Sequence, residues 1–301
     1  MNSLVEDTQK VLNEKLPKGL IVPEHTASAH FYRYTPEQEL YPSVTTVTGI
    51  LDKPYLPQWA ARVALEQQDA NAHNNLREEA AEIGIQGHKV VENYVNMWIA
   101  NKARPHNITD FIPEGSDARL WPIAKSAELF FTELEAIPIA SELLVASPTI
   151  KTAGTLDLLL AIPRVKRTGN GNEHCKKMGH YWCLYPNPKR KYDEWCPTCN
   201  ESRTWHLVLG DLKTSNSIAN KPDYQMQTAT YRYLFFELTG LKCDDILIIR
   251  LDKEKTKYEL ISVDSPLVPF RAFKHLREVY TWHGNFLQYQ TTLGTVPTIT
   301  L

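Results

Sequence analysis

Apolar residues recur at helical spacing along much of the chain, and these stretches predict helices. One of them ends before Pro17, another begins at Pro57, and a third is followed by Gly240, all of which are typical helix boundaries. Pro122 falls inside a further stretch and could break it. The predicted helices cover 3–16, 57–68, 76–102, 117–135, 222–238 and 268 to about 288.

Shorter runs rich in β-branched and aromatic residues predict strands. The run at 245–251 is continuously apolar, which indicates a buried strand, and 257–263 has the character of an edge strand. A hairpin is expected from 30–34 and 40–47, which flank a turn-like segment. The other predicted strands are 139–146, 150–162 and 205–212.

Composition places the chain among ordinary folded proteins: it has 301 residues, 43% of them hydrophobic and 23% charged. This length allows one large domain or two smaller ones. The net charge of −2 does not by itself favour nucleic acid, so any such binding must come from local basic patches.

The pattern of apolar residues also bears on location. No run approaches the roughly 18 apolar residues of a membrane span, and the first residues lack a basic segment followed by an apolar one. We therefore expect no membrane partner and a cytoplasmic protein, which for a viral protein would mean the host cytoplasm.

Two acidic residues accompany predicted strands. Asp157 follows Gly154-Thr155-Leu156, and Asp211-Leu212-Lys213 ends the strand at 205–212. Because alternate residues of a strand share a face, Asp211 and Lys213 should project together, towards an aspartate of a neighbouring strand. Carboxylates suit Mg²⁺, and an ammonium beside them suits a phosphodiester. The alternative interpretation is a salt bridge at the end of a strand.

Predicted helices carry further polar candidates. His88 follows Gly84 and Gly87 on the preceding turn, and glycines inside a helix suggest close approach of another backbone or of substrate. A single histidine in a helix is nevertheless more often a surface or hydrogen-bonded residue than a ligand. Gln227 and Tyr231 are four residues apart, hence on one helix face, although helix surface and core aromatic would explain them equally.

Taken in order, these motifs resemble the PD-(D/E)xK nuclease superfamily, in particular its RecB-type branch of phage and mitochondrial genome-maintenance exonucleases and CRISPR-associated nucleases. The resemblance spans roughly residues 41 to 250. One departure is a long cysteine-bearing segment between the two aspartates. The motifs that carry the resemblance are Gly84 to His88, Glu142, Gly154 to Asp157, Asp211 to Lys213, and Gln227 to Tyr231.

The resemblance implies an α/β (mixed α+β) fold with a restriction-endonuclease-like core, in which helices flank a central mixed sheet. It divides the chain into an N-terminal hairpin and helical layer at 1–116, a nuclease core at 117–265 and a C-terminal helix and tail at 266–301. A zinc-ribbon-like insert at 164–204 interrupts the core.

The same resemblance implies residue roles. Mg²⁺ or Mn²⁺ would be held by His88, Asp157, Asp211 and the carbonyl of Leu212, with Glu142 as a second-sphere or second-metal ligand. Lys213 would orient the attacking water and stabilise charge on the phosphate. The face bearing Gln227 and Tyr231 would hold Lys213 and the phosphate.

The expected activity is that of a metal-dependent deoxyribonuclease, an exonuclease acting on single strands or DNA ends in replication, recombination or repair. The alternatives are a structure-specific endonuclease and a catalytically idle nucleic-acid-binding protein. Because Asp157, Asp211 and Lys213 are all present, the idle alternative is disfavoured.

The inserted segment carries a predicted zinc site. Cys196-Pro197-Thr198-Cys199 has the geometry of a zinc knuckle, and Cys183 supplies a third thiolate. The fourth ligand is Cys175 or His180; we favour Cys175, since four thiolates are the commoner set. An iron–sulfur cluster is disfavoured because relatives that carry one place cysteines at both ends of the nuclease domain.

Basic and aromatic residues alternate around these cysteines, a composition that suits single-stranded DNA or DNA with a free end. A solvated finger whose rings cover the metal would explain it equally. These residues are Arg164, Lys166, Arg167, Lys176, Lys177, Tyr181, Trp182, Tyr185, Lys189, Arg190, Lys191 and Tyr192.

Purified protein should therefore contain about one zinc per chain. Cys196→Ala should remove the zinc and unfold the insert locally while the sheet core survives, because metal binding and local folding are coupled. Elemental analysis and circular dichroism measure the two effects. Iron with sulfide, or no metal at all, would contradict this prediction.

Overall fold

The structure, a computed structural model, describes residues 3–26, 29–165, 203–219 and 221–293. The predicted zinc ligands Cys175, His180, Cys183, Cys196 and Cys199 lie outside these ranges, as do residues 166–202 of the predicted insert. The bounds predicted for the insert are too wide, because its ends at 164–165 and 203–204 lie in two paired strands of the sheet. No helix in the described ranges is long and apolar enough to cross a membrane.

Helices and strands alternate to give a mixed α/β fold. The helices are α1 (Ser3–Lys15), α2 (Val44–Thr48), α3 (Tyr55–Gln67), α4 (Ala72–Asn101), a 3₁₀ turn (Ile108–Phe111), α5 (Leu120–Glu133), α6 (Pro222–Thr239) and α7 (Leu267–Leu293). The strands are β1 (Ile21–His25), β2 (His30–Tyr34), β3 (Glu39–Pro42), β4 (Ile137–Ser147), β5 (Thr152–Val165), β6 (Arg203–Lys213), β7 (Asp245–Leu251) and β8 (Tyr258–Ser262).

These strands form two sheets. β1, β2 and β3 make an antiparallel sheet, and β4 to β8 make a mixed sheet in chain order. Only β6 and β7 run parallel within the described part of the larger sheet. A parallel pair needs a crossover connection, and α6 supplies it.

Each face of the larger sheet packs against its own helical layer. On one face, β5 to β7 contribute Leu160, Val208 and Ile249 to a core shared with α4 and α5. On the other face, residues such as Leu209 and Ile248 pack against α1, α2, α6 and α7. Burial on both faces explains why the sequence of β7 is continuously apolar.

Most predicted elements are confirmed with small changes at their ends. The prediction of a break at Pro122 is wrong, because Pro122 lies in the first turn of α5, where a missing N–H leaves no helical bond unmade. The strand expected through 40–47 is wrong in its second half, which forms α2. There the Ser43 hydroxyl accepts the N–H of Thr46 and caps the helix, overriding the strand preference of a β-branched run.

Candidate metal centre

The site is organised around a place where two strands of the sheet separate. β5 pairs with β6 as far as Leu158 opposite Gly210. Asp157 is the next residue of β5 beyond this last pair. Its side chain accepts a hydrogen bond from the backbone N–H of Leu212 in β6 at 2.7 Å, so a carboxylate replaces a backbone carbonyl as the acceptor. Leu158 packs on the α4–α5 side and Leu156 on the α6–α7 side, although a regular strand would place both on one face. The strand therefore changes its facing at Asp157.

Glu142 occupies the facing position on the other neighbour of β5. The register pairs Ser141 with Leu158 and Leu143 with Leu156, so Glu142 lies opposite Asp157. Its φ of 48° is left-handed, a conformation that costs energy for a residue with a side chain. This backbone conformation changes the direction of the Glu142 side chain in the middle of β4.

His88 reaches the same point from α4. Its Nδ1 lies 3.8 Å from the Asp157 Oδ2. His88, Glu142 and Asp157 can each offer one ligand atom, and these atoms all lie within 4.8 Å of one another. This group could hold a metal ion.

Two glycines allow α4 to lie so close. A Cβ at Gly84 would lie 3.1 Å from the Thr214 Oγ1, and one at Gly87 would lie 3.1 Å from the Ile123 Cγ2. The close approach that these glycines suggested is present, but the neighbours are side chains of α5 and of the residue after β6, not the backbone or substrate that was expected.

Asp211 and Lys213 project together from the end of β6, as strand alternation predicts. The Lys213 Nζ lies 2.7 Å from the Asp211 Oδ2, and Asp211 is only 1% exposed. Despite this ion pair, neither Asp211 oxygen accepts a hydrogen bond of good geometry from the described residues. Asp211 lies outside the group formed by His88, Glu142 and Asp157, to which the resemblance would add it.

On the α6 side, a short chain of contacts holds Lys213. Its ammonium donates to the Gln227 Oε1 at 3.3 Å, and the Gln227 amide donates to the Tyr231 hydroxyl at 3.3 Å. A Cβ at Gly154 would lie 2.6 Å from the Tyr231 ring, so only glycine fits there. Gly154 and Tyr231 belong to motifs that are far apart in the sequence, yet they pack against each other.

Tyr224 is a contact that sequence reasoning missed. The Lys213 Nζ lies 4.9 Å from the centre of its ring, within the range of a cation–π interaction. The signal was present, because Tyr224 precedes Gln227 by three residues and so shares its helix face.

Burial and mutual repulsion perturb the acidic groups. Burial, followed by the charges of Asp157 and Glu92, raises the pKa of Glu142 to about 8. Burial raises the pKa of Asp211 to about 7; Lys213 opposes the rise, and Asp157 adds to it. Burial also raises the pKa of Tyr231 well above its usual value. A bound divalent cation would relieve this repulsion.

The donors fit a metal. Carboxylate oxygens and one imidazole nitrogen are compatible with Mg²⁺ and Mn²⁺, and also with Zn²⁺. Two further features favour a cation here: the strained backbone of Glu142, and the buried Asp211, whose oxygens accept no hydrogen bond of good geometry from the described residues although Lys213 pairs with one of them. The backbone N–H of Leu212 is committed to Asp157.

Without metal, the free energy of unfolding should fall as pH rises. The pKa of folded Glu142 is about 8, above the roughly 4.3 of an unfolded glutamate, so the folded state binds more protons between these values. The stability that this group contributes is complete below about pH 4 and is lost as pH rises towards 8. Urea titrations in EDTA from pH 5.5 to 8.5 measure the slope.

Glu142→Gln should flatten this slope, since the amide carries no charge to bury. The matched control is Glu78→Gln, on an exposed position of α4, which should leave the slope at the wild-type value. An unchanged slope in Glu142→Gln would contradict the described environment of this carboxylate.

Comparison with models of known protein families finds no match for this chain. Comparison with curated proteins finds no significant match either.

Proposed function

We propose that this protein is a Mg²⁺- or Mn²⁺-dependent deoxyribonuclease of the PD-(D/E)xK type, an exonuclease that hydrolyses phosphodiester bonds at DNA ends or in single strands. The observation that carries the proposal is the meeting of three candidate ligands with a buried Asp–Lys pair at one break in the sheet. His88, Glu142 and Asp157 lie together, and Asp157 bonds to the residue between Asp211 and Lys213.

In this proposal His88, Glu142 and Asp157 would hold the metal, which would supply an activated water and offset charge on the phosphate. Asp211 keeps Lys213 oriented and remains the candidate for a further ligand, together with the Leu212 carbonyl. Glu142 thus takes a more direct role than the second-sphere or second-metal one that the sequence resemblance implies, because its carboxylate lies within reach of His88 and Asp157.

Lys213 is best suited to stabilise charge. Burial by itself would lower its pKa, but the nearby carboxylates of Asp211 and Asp157 outweigh burial and raise the pKa of Lys213. An ammonium that stays protonated cannot take a proton from water. It can donate to a phosphate oxygen as the water oxygen bonds to phosphorus and the bond to the leaving oxygen breaks, while solvent water takes the proton that the attacking water loses and returns one to the leaving oxygen. Gln227 and Tyr224 fix its position.

Preference for a strand end is supported by the placement of the centre between two helical layers. His88 comes from α4 on one face of the sheet, and Gln227 and Tyr231 come from α6 on the other. A centre enclosed from both sides suits a single strand better than an open duplex. Short products and strong salt sensitivity should accompany such an activity.

Asp211→Asn should keep the fold and abolish most Mg²⁺-dependent cleavage, because an amide cannot supply the carboxylate charge. Lys213→Ala should reduce cleavage by about 10²-fold, the scale for losing one transition-state donor. Release of labelled nucleotides from end-labelled DNA measures both. Asp7→Asn, an exposed aspartate of α1, is the matched control and should retain wild-type activity. Robust cleavage by Asp211→Asn would refute the assignment.

Circular single-stranded DNA tests the requirement for an end, since it offers the same bases and phosphates without a terminus. It should resist degradation under conditions that consume a linear strand of equal length. Equal rates on both substrates would favour the endonuclease alternative. Binding of both without cleavage in Mg²⁺ or Mn²⁺ would favour a catalytically idle binding protein.

A further inference from the structure

The first residue of α3 exposes an aromatic ring that contacts the start of α6. Tyr55 is 51% exposed. The Lys221 Nζ lies 4.9 Å from the centre of its ring and donates to its hydroxyl at 3.4 Å. Lys221 is the residue immediately before α6, so this contact joins α3 to the helix that carries Gln227 and Tyr231.

The two lysines beside Tyr55 differ in their charge balance. Lys53 pairs with Asp223 at 3.4 Å. Lys221 forms no ion pair with any carboxylate of the described residues; its contacts are with the Tyr55 ring and hydroxyl. An ammonium that forms no ion pair attracts an anion more strongly than one that is already paired.

Aromatic rings and ammonium groups alternate from Tyr55 to Lys213. Lys221 immediately precedes α6, and Tyr224 follows it by three residues in the first turn of that helix. The Tyr224 ring in turn lies 4.9 Å from the Lys213 Nζ. The order is therefore Tyr55, Lys221, Tyr224, Lys213, and only the first ring is largely exposed.

The surroundings of Tyr55 also expose apolar surface. Leu56 is 40% and Ile50 is 39% exposed. Of the residues of α3, all of which the structure describes, only Val63 is buried.

We propose that Tyr55 and Lys221 form a binding subsite for a nucleotide that flanks the scissile phosphate. An unpaired base stacks on the exposed Tyr55 ring, and the phosphate of that nucleotide pairs with the Lys221 ammonium. This inference rests on the proposed nuclease function and specifies its substrate: a strand whose bases near the cleavage point are unpaired. Bases inside a duplex have no free face for the ring.

Binding of a fluorescein-labelled oligothymidylate, measured by anisotropy in EDTA over a series of salt concentrations, tests the subsite apart from cleavage. Tyr55→Ala should weaken binding about tenfold, a typical loss for one stacked base. Tyr55→Phe keeps the ring and should stay within about twofold of wild type. In Mg²⁺, Tyr55→Ala should raise KM for the linear strand and leave kcat near wild type.

Lys221→Gln should reduce the slope of log Kd against log salt by about 0.7, the value for one phosphate contact on a single strand. Two positions of α3, the helix that begins with Tyr55, provide controls that should change neither the affinity nor the salt slope. Leu65→Ala removes a side chain that is 81% exposed, and Arg62→Gln removes an exposed positive charge.

Wild-type affinity in Tyr55→Ala, or an unchanged salt slope in Lys221→Gln, would overturn the subsite while leaving the nuclease proposal intact. Binding that depends on Tyr55 and Lys221 without any cleavage would support the subsite and refute the nuclease. A wild-type protein that neither binds nor cleaves DNA would overturn both.

Discussion

The hydrogen bond from the Leu212 N–H to the Asp157 carboxylate is the contact on which the site depends. It occurs where β5 and β6 stop pairing, and it satisfies a backbone donor that would otherwise be left without a partner in a buried sheet. Because β5 changes its facing here, groups from both helical layers meet. His88 arrives from α4, and the Lys213 side chain lies towards α6.

This arrangement has an electrostatic cost. Burial and mutual repulsion raise the pKa of Glu142 to about 8 and that of Asp211 to about 7, and Lys213 compensates only in part. Glu142 also sits in a left-handed backbone conformation. Energy stored in this way is typical of functional sites, and a cation would offset the charge repulsion. Backbone strain and charge repulsion thus coincide at this point of the sheet.

Much of the site follows from local rules of sequence. Strand alternation places Asp211 beside Lys213, and helical spacing places Gln227 beside Tyr231. The roles of other residues could not be read in this way. Tyr224 shares the helix face of Gln227, but its importance becomes visible only through its contact with the Lys213 ammonium. Tyr55 contacts Lys221, which is far away in the sequence. The partners of Gly154 and Gly84 likewise come from other elements.

The sequence alone determined where most helices and strands lie, because periodic burial, prolines and glycines act within a few residues. It also determined which functional side chains share a face of one element. The tertiary structure decided the rest. It turned Val44–Thr48 into a capped helix against the expected strand, and it gathered His88, Glu142 and Asp157 while setting Asp211 apart with Lys213. The reason is physical: strand register, the separation of β5 from β6 and the approach of α4 depend on packing between segments far apart in the chain. Local conformational preferences do not determine such packing.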